Sequence, residues 1–81
     1  MLFRGLKKSM KQYSVDVKVN RINDQLRGEM KRQKITQADA AYRIGLEQQT
    51  LSNRLSGKTP WTLREIVMMC EVLEINLGDF D

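Results

Sequence analysis

The sequence predicts an all-α domain, a compact bundle of about five short helices. Three observations predict it. Only one proline and five glycines occur in 81 residues, which disfavours long loops. Strand-forming residues are few outside residues 13–19. Two helix-start signals, Thr36 and the Thr62/Glu65 pair, each stand before an apolar pattern of helical period.

The size allows one small domain, which buries only about 60–65% of its unfolded surface. Apolar residues are 41% and charged residues 30%, too apolar for a disordered chain. The net charge of +4 is unevenly spread. Residues 1–34 hold ten Lys/Arg against three acids, residues 35–60 three against two, and residues 61–81 one against five. Such a chain can orient on a polyanion, basic end inward. One cysteine and no histidine exclude an internal disulfide and metal sites built from Cys/His clusters. No cofactor, metal or small-molecule ligand is expected. Cys70 lies in an apolar helical stripe and reads as a buried structural thiol, which suits a reducing cytosol. No apolar run approaches the roughly 20 residues of a membrane span. The opening MLFRGLKK lacks the apolar stretch of a signal peptide.

Residues 1–16 form a basic extension, as an arm or an extra helix, ahead of a domain at 17–81. Leu2, Phe3, Leu6 and Met10 fall near one helical face, with Arg4, Lys7, Lys8 and Lys11 around it and Gly5 weakening the helix. Three readings of residues 1–14 stay open: a basic arm on phosphates, an amphipathic helix docked on the domain or a second copy, and an untidy tail. Residues 13–19, YSVDVKV, alternate as a strand would. Val15, Val19, Ile22, Leu26 and Met30 also fit a helix, and a lone strand has no partner, so helix 1 is expected at 17–32, capped by Ser14 or Asn20. Gly28 inside it costs roughly 1 kcal/mol relative to Ala; a close helix contact is the available reason for it. The final MKRQK sets cations at the helix's negative pole.

Thr36 caps helix 2, with Asp39 as its capping-box partner. Ala40, Ala41 and Ile44 form its inner face, and Gly45 takes the left-handed conformation that turns the chain. Helix 3 spans 47–56 with Leu51 and Leu55 inward and Gly57 closing it; Pro60 stops any continuation. Thr62 and Glu65 box helix 4, at 63–74, with Leu63, Ile66, Val67, Met69 or Cys70, and Leu73 buried. Asn76 caps a last turn that folds Ile75, Leu77 and Phe80 onto the core, and Trp61 packs beside helix 4.

Several signs recur together: I-T-Q at 35–37, Ala41, I-G-L at 44–46, T-L-S at 50–52, L-S-G-K at 55–58, T-L-R-E-I opening helix 4, and I-N-L at 75–77. With them the stretch Asn20 to Phe80 resembles the Cro/CI-type (XRE-like) helix-turn-helix family of phage and bacterial repressors. The resemblance covers about three quarters of the chain and implies a lambda-repressor-like fold. Gln48-Gln49 is similar to the start of the recognition helix in some phage repressors.

The resemblance implies sequence-specific binding of double-stranded DNA, with helix 3 in the major groove. Residues near the N-terminus of such a helix reach base edges, and Gln can bond adenine bidentately. Gln48 and Gln49 are the first candidates for readout and Ser52 or Asn53 the next. Glu47 either accepts from a cytosine amino group or serves the helix dipole. Gln37 resembles the family's phosphate contact. Arg54, Lys58 and Thr59 are placed to meet flanking phosphates, and Arg43 meets them or faces solvent. Backbone N–H groups at the starts of helices 2 and 3 add donors toward anions. The expected activity is non-enzymatic: a phage or prophage repressor that occludes an operator, in the cytosol of a bacterium or phage-infected host. The expected partners are operator half-sites and a second copy, at least on DNA, with no membrane. The dimer surface is either helices 4–5 with Leu77 and Phe80 or the N-terminal segment, unless a dimerisation region lies in a longer chain. Two other readings are an antitoxin or antirepressor that uses this fold to bind protein, and a recombination-accessory DNA-binding protein.

Overall fold

The computed structural model describes residues 2–80, with side chains described from residue 15 to residue 80. Four α-helices follow one another: α1 (Leu2–Gln33), α2 (Gln37–Ile44), α3 (Gln48–Leu55) and α4 (Leu63–Leu73). A 3-10 turn, Leu77–Asp79, stands where a fifth helix was expected. Among the described residues there is no strand, so 13–19 is helical.

Helix α1 is twice as long as its sequence pattern suggested. It starts at Leu2 instead of 17, and neither Ser14 nor Asn20 caps it. The strong helix formers Leu, Lys, Met, Gln and Arg dominate residues 2–12, with no proline to stop the helix. A rise of ~1.5 Å per residue makes α1 alone span the 48 Å long axis of the molecule. The boundary expected at 16/17 therefore falls inside a continuous helix. The side-chain arrangement expected for residues 1–14 lies outside the described side chains.

The core forms where the four helices meet. Leu26 and Met30 of α1, Ala40, Ala41 and Ile44 of α2, Leu51 and Leu55 of α3, and Met69 and Leu73 of α4 make one buried cluster. Burying each of the larger side chains stabilises the fold by roughly 1.5–3 kcal/mol. Helix α2 packs on α3 and α4, and α1 packs on the same pair. Alanine at 40 and 41 lets α2 approach closely. Cys70 is buried as expected, and burial pushes its thiol pKa up, which makes it a poor nucleophile.

Some inward assignments are corrected. Leu63 is 73% exposed and Val67 40% exposed, while Met69 and Cys70 are both buried. Ile66, Met69, Cys70 and Leu73 share one face at spacings of 3, 1 and 3. Val67 lies one step round from that face, and Leu63 sits in the free first turn. Val15 and Val19 are exposed because α1 there has run past the other helices. Leu77 is exposed, whereas Ile75 and Phe80 pack against the core as expected.

The caps follow the sequence closely. Thr36 Oγ1 accepts from Asp39 N at 3.1 Å. Asp39 does not reach back; its carboxylate pairs with Arg43 one turn on, at 3.0 Å. Gly45 adopts φ 75° and ends α2. Thr62 and Glu65 form the full capping box. Helices α1 and α4 end without glycine: Lys34 (φ 59°) and Glu74 (φ 56°) take the left-handed conformation instead. Each costs roughly 1 kcal/mol. The tertiary geometry imposes it, because Ile35 N must reach Met30 O (2.8 Å) and Ile75 N must reach Cys70 O (3.0 Å) as the chain reverses.

Four polar ties brace the bundle. Trp61 Nε1 donates to the buried Asn23 Oδ1 at 2.6 Å, which confirms a packing role for Trp61. Gln33 Nε2 donates to Leu73 O at 2.7 Å, locking the ends of α1 and α4 together. Arg27 donates to Leu55 O at the end of α3 and also pairs with Asp24. Arg54 Nε donates to Glu65 Oε1 at 2.9 Å, and Arg54 Nη1 donates to Thr59 Oγ1 at 2.5 Å.

Two substitutions test this backbone reading. A Cβ added at Gly28 meets nothing within 4 Å, so no close helix contact requires the glycine. Gly28→Ala should raise the unfolding free energy by about 0.5–1 kcal/mol. Glu74→Gly should do the same by about 1 kcal/mol, since it relieves the positive φ and removes an acid from the negative end of α4. Urea unfolding curves check both. Acid titration tests the Arg54–Glu65 tie. The Arg54 hydrogen bonds chiefly hold the Glu65 carboxyl below its ordinary value near 4.5. A depressed carboxylate contributes stability that is present above the unfolded value and lost as pH falls through the folded one. The Tm advantage of wild type over Glu65→Gln should therefore be full at neutral pH, start to fall near the ordinary value of 4.5, and be lost as pH drops through the depressed folded value.

Candidate nucleic-acid interface

Eight residues make α3, and their order decides what it presents. The ~100° step per residue puts Gln49 and Asn53 opposite the buried Leu51 and Leu55. Gln48 and Ser52 lie on one flank, Thr50 and Arg54 on the other. Gln48 and Gln49 are exposed in the first turn; Ser52 and Asn53 are half-buried. Gln49 Nε2 donates to Asn53 Oδ1 at 3.0 Å, so the two amides are held side by side on the crest. One N–H and the carbonyl of Gln49 stay available for a base edge, the pattern a major-groove reader needs.

Glu47 is the N-cap of α3 and makes no side-chain cap bond. Its exposed carboxylate thus stands at the N-terminal end of the helix without a local role in capping. At the other end, Gly57 (φ 81°) reverses the chain, with Lys58 N bonded to Asn53 O at 3.0 Å. That turn brings exposed Lys58 and half-buried Thr59 beside the end of α3.

The expected phosphate contacts separate into two groups. Gln37, in the first turn of α2, lines a shallow depression with Arg27, Met30, Lys31 and Ile35. Lys58 is exposed on its loop. Gln37 precedes α3 in the chain and Lys58 follows it. Arg43 is engaged with Asp39 in an exposed pair, which is worth about 0–1 kcal/mol and exchanges readily for a phosphate. Arg54 is placed differently. Its side chain is 20% exposed and tied to Glu65 and Thr59, so the structure commits its guanidinium to holding the 56–62 loop.

Lys31 is a further candidate that the sequence does not single out. It is exposed beside Gln37, in the last turn of α1. The only sequence signal was its place among the helix-ending cations, which reads equally well as dipole compensation. Among the described residues, no group of His, Cys, Asp and Glu could hold a metal ion, and no helix is long and apolar enough to cross a membrane.

The comparisons with known proteins agree with this geometry. The family model for the Cro/C1-type HTH DNA-binding domain matches residues 25–80. No curated protein and no solved structure matches the chain. The matched range starts within α1, holds α2, the Gly45 turn, α3 and α4, and leaves residues 1–24 outside. The chain belongs to the Cro/C1-type helix-turn-helix DNA-binding domain family.

Proposed function

We propose that this protein is a transcriptional repressor of phage or prophage type. It lays α3 in the major groove of an operator and blocks polymerase by occupying the site. The observation that carries this reading is the two-sided character of α3: Gln48 and Gln49 are exposed while Leu51 and Leu55 are 0% and 1% exposed. A helix anchored so firmly by one face can offer the other as a rigid reading surface.

In this reading Gln48 and Gln49 contact base edges, with Asn53 and Ser52 alongside and Glu47 accepting from a cytosine amino group. Gln37, Lys58, Thr59 and Arg43 contact phosphates, and Lys31 joins them. Arg54 contributes indirectly, by fixing the loop that carries Lys58. Residues 17–81 serve as the DNA-binding unit and residues 1–16 as an extension. One such unit makes few contacts, so the protein acts as a homodimer on two half-sites. It works in the cytosol of a bacterium or of a phage-infected host.

Gln48→Ala and Gln49→Ala should each weaken operator binding by roughly 1–3 kcal/mol and relax the base preference at one position. Lys58→Ala should weaken binding to all duplexes alike and lower the slope of log K against log salt by about one unit. Titrations of operator and scrambled duplexes at several salt concentrations measure both effects. Operator affinity unchanged in both glutamine variants would remove the readout assignment.

A further inference from the structure

The sequence of the N-terminal half of α1 sets a second apolar row on a different face of the helix from the one that packs on the domain. Where α1 packs on the domain, it does so through Ile22, Asn23, Leu26 and Met30. Continued toward the N-terminus, that face passes through Val19, Val15, Gln12 and Lys8, and loses its apolar character before Val15. The apolar positions of the extension are others: Phe3, Leu6, Met10, Tyr13 and Val17, at intervals of 3, 4, 3 and 4. At ~100° per residue this second set is centred roughly 170° around the helix from the first. Because α1 is unbroken from Leu2 to Gln33, both sets keep these positions on the two faces of one helix.

An alternating interval of 3 and 4 is the seam of a two-stranded coiled coil, which a second copy of the same helix complements. We propose that residues 3–17 of α1 pair in parallel with the same segment of a second copy, so that the extension is the dimerisation element of the protein. This deepens the dimeric part of the proposed function and rests on it. Charge supports the parallel arrangement. With Phe3, Met10 and Val17 as one core position and Leu6 and Tyr13 as the other, Asp16 and Arg21 take the flanking positions that face each other between parallel strands. Both residues are exposed. Arg4, Lys8, Lys11 and Lys18 all take positions on the outer flanks, away from the seam. Pairing stops near Asn20, whose Oδ1 lies 3.7 Å from where a Cβ of Gly57 would be, because there the domain itself occupies the flank of α1.

Sedimentation equilibrium of the full chain over micromolar concentrations tests the proposal. Wild type should sediment as a dimer, and the double variant Leu6→Gln/Met10→Gln should associate at least about tenfold more weakly. Gln keeps good helix propensity at both positions, so the far-ultraviolet spectrum and monomer unfolding should be retained. Arg21→Glu should also weaken association, and adding Asp16→Arg should restore it. A wild type that stays monomeric throughout, or a Leu6→Gln/Met10→Gln variant that dimerises like wild type, would overturn the proposal. Binding of a single half-site duplex, measured on the same samples, separates the two claims. The double variant should keep wild-type affinity there and lose affinity only for a duplex with two half-sites. A dimer that binds neither duplex would leave the pairing standing and remove the repressor reading.

Discussion

The exposed face of α3 depends on the burial of Leu51 and Leu55. An isolated helix needs about 12–15 residues to be even marginally stable in water. The α3 helix has eight and a first turn of two glutamines and a threonine, so it exists only as part of the bundle. The two leucines share one buried cluster with Leu26 and Met30 from α1 and with Ala40 and Ala41 of α2, the helices on which α3 packs. Its ends are then fixed separately. Gly45 sets the angle at which the chain enters, and Arg27, reaching from α1, occupies the carbonyl of Leu55 at the exit.

The loop after α3 follows the same logic. Lys58 can act as a phosphate anchor only if its backbone is held, and the restraint comes from two directions. Arg54 clamps Thr59 and Glu65, while Trp61 drops its indole N–H onto the buried Asn23. Glu65 thereby serves twice, boxing the start of α4 and bracing the end of α3. The acids of the last 21 residues thus include at least one that works inside the fold and does not merely balance charge.

Local signals were legible in the sequence, and long-range ones were not. Thr36, Gly45, Gly57 and the Thr62/Glu65 box each act within a few residues, and all four are where their chemistry predicts. Leu51, Leu55 and Cys70 followed from helical period. Leu63 and Val67 misled because an apolar residue next to a buried stripe has the same sequence signature as one inside it. The length of α1 was hidden for a related reason: its two apolar sets lie on opposite faces, so no single period runs through it. Arg54 looked like a free cation, since nothing local marks Glu65, eleven positions away, as its partner. The Gln33–Leu73 and Trp61–Asn23 bonds join residues 40 and 38 positions apart and leave no trace in local pattern.

The central claim is that a rigid glutamine-bearing helix selects DNA sequence and does more than adhere to a polyanion. A basic chain binds any duplex through its cations, and salt alone governs that mode. Selection from random duplexes at fixed, near-physiological salt distinguishes the two directly. Repeated rounds should enrich a short motif present as two half-sites about one helical turn apart, bound at least about a thousandfold more tightly than the starting pool. A pool that stays random through those rounds while remaining bound would contradict sequence-specific recognition.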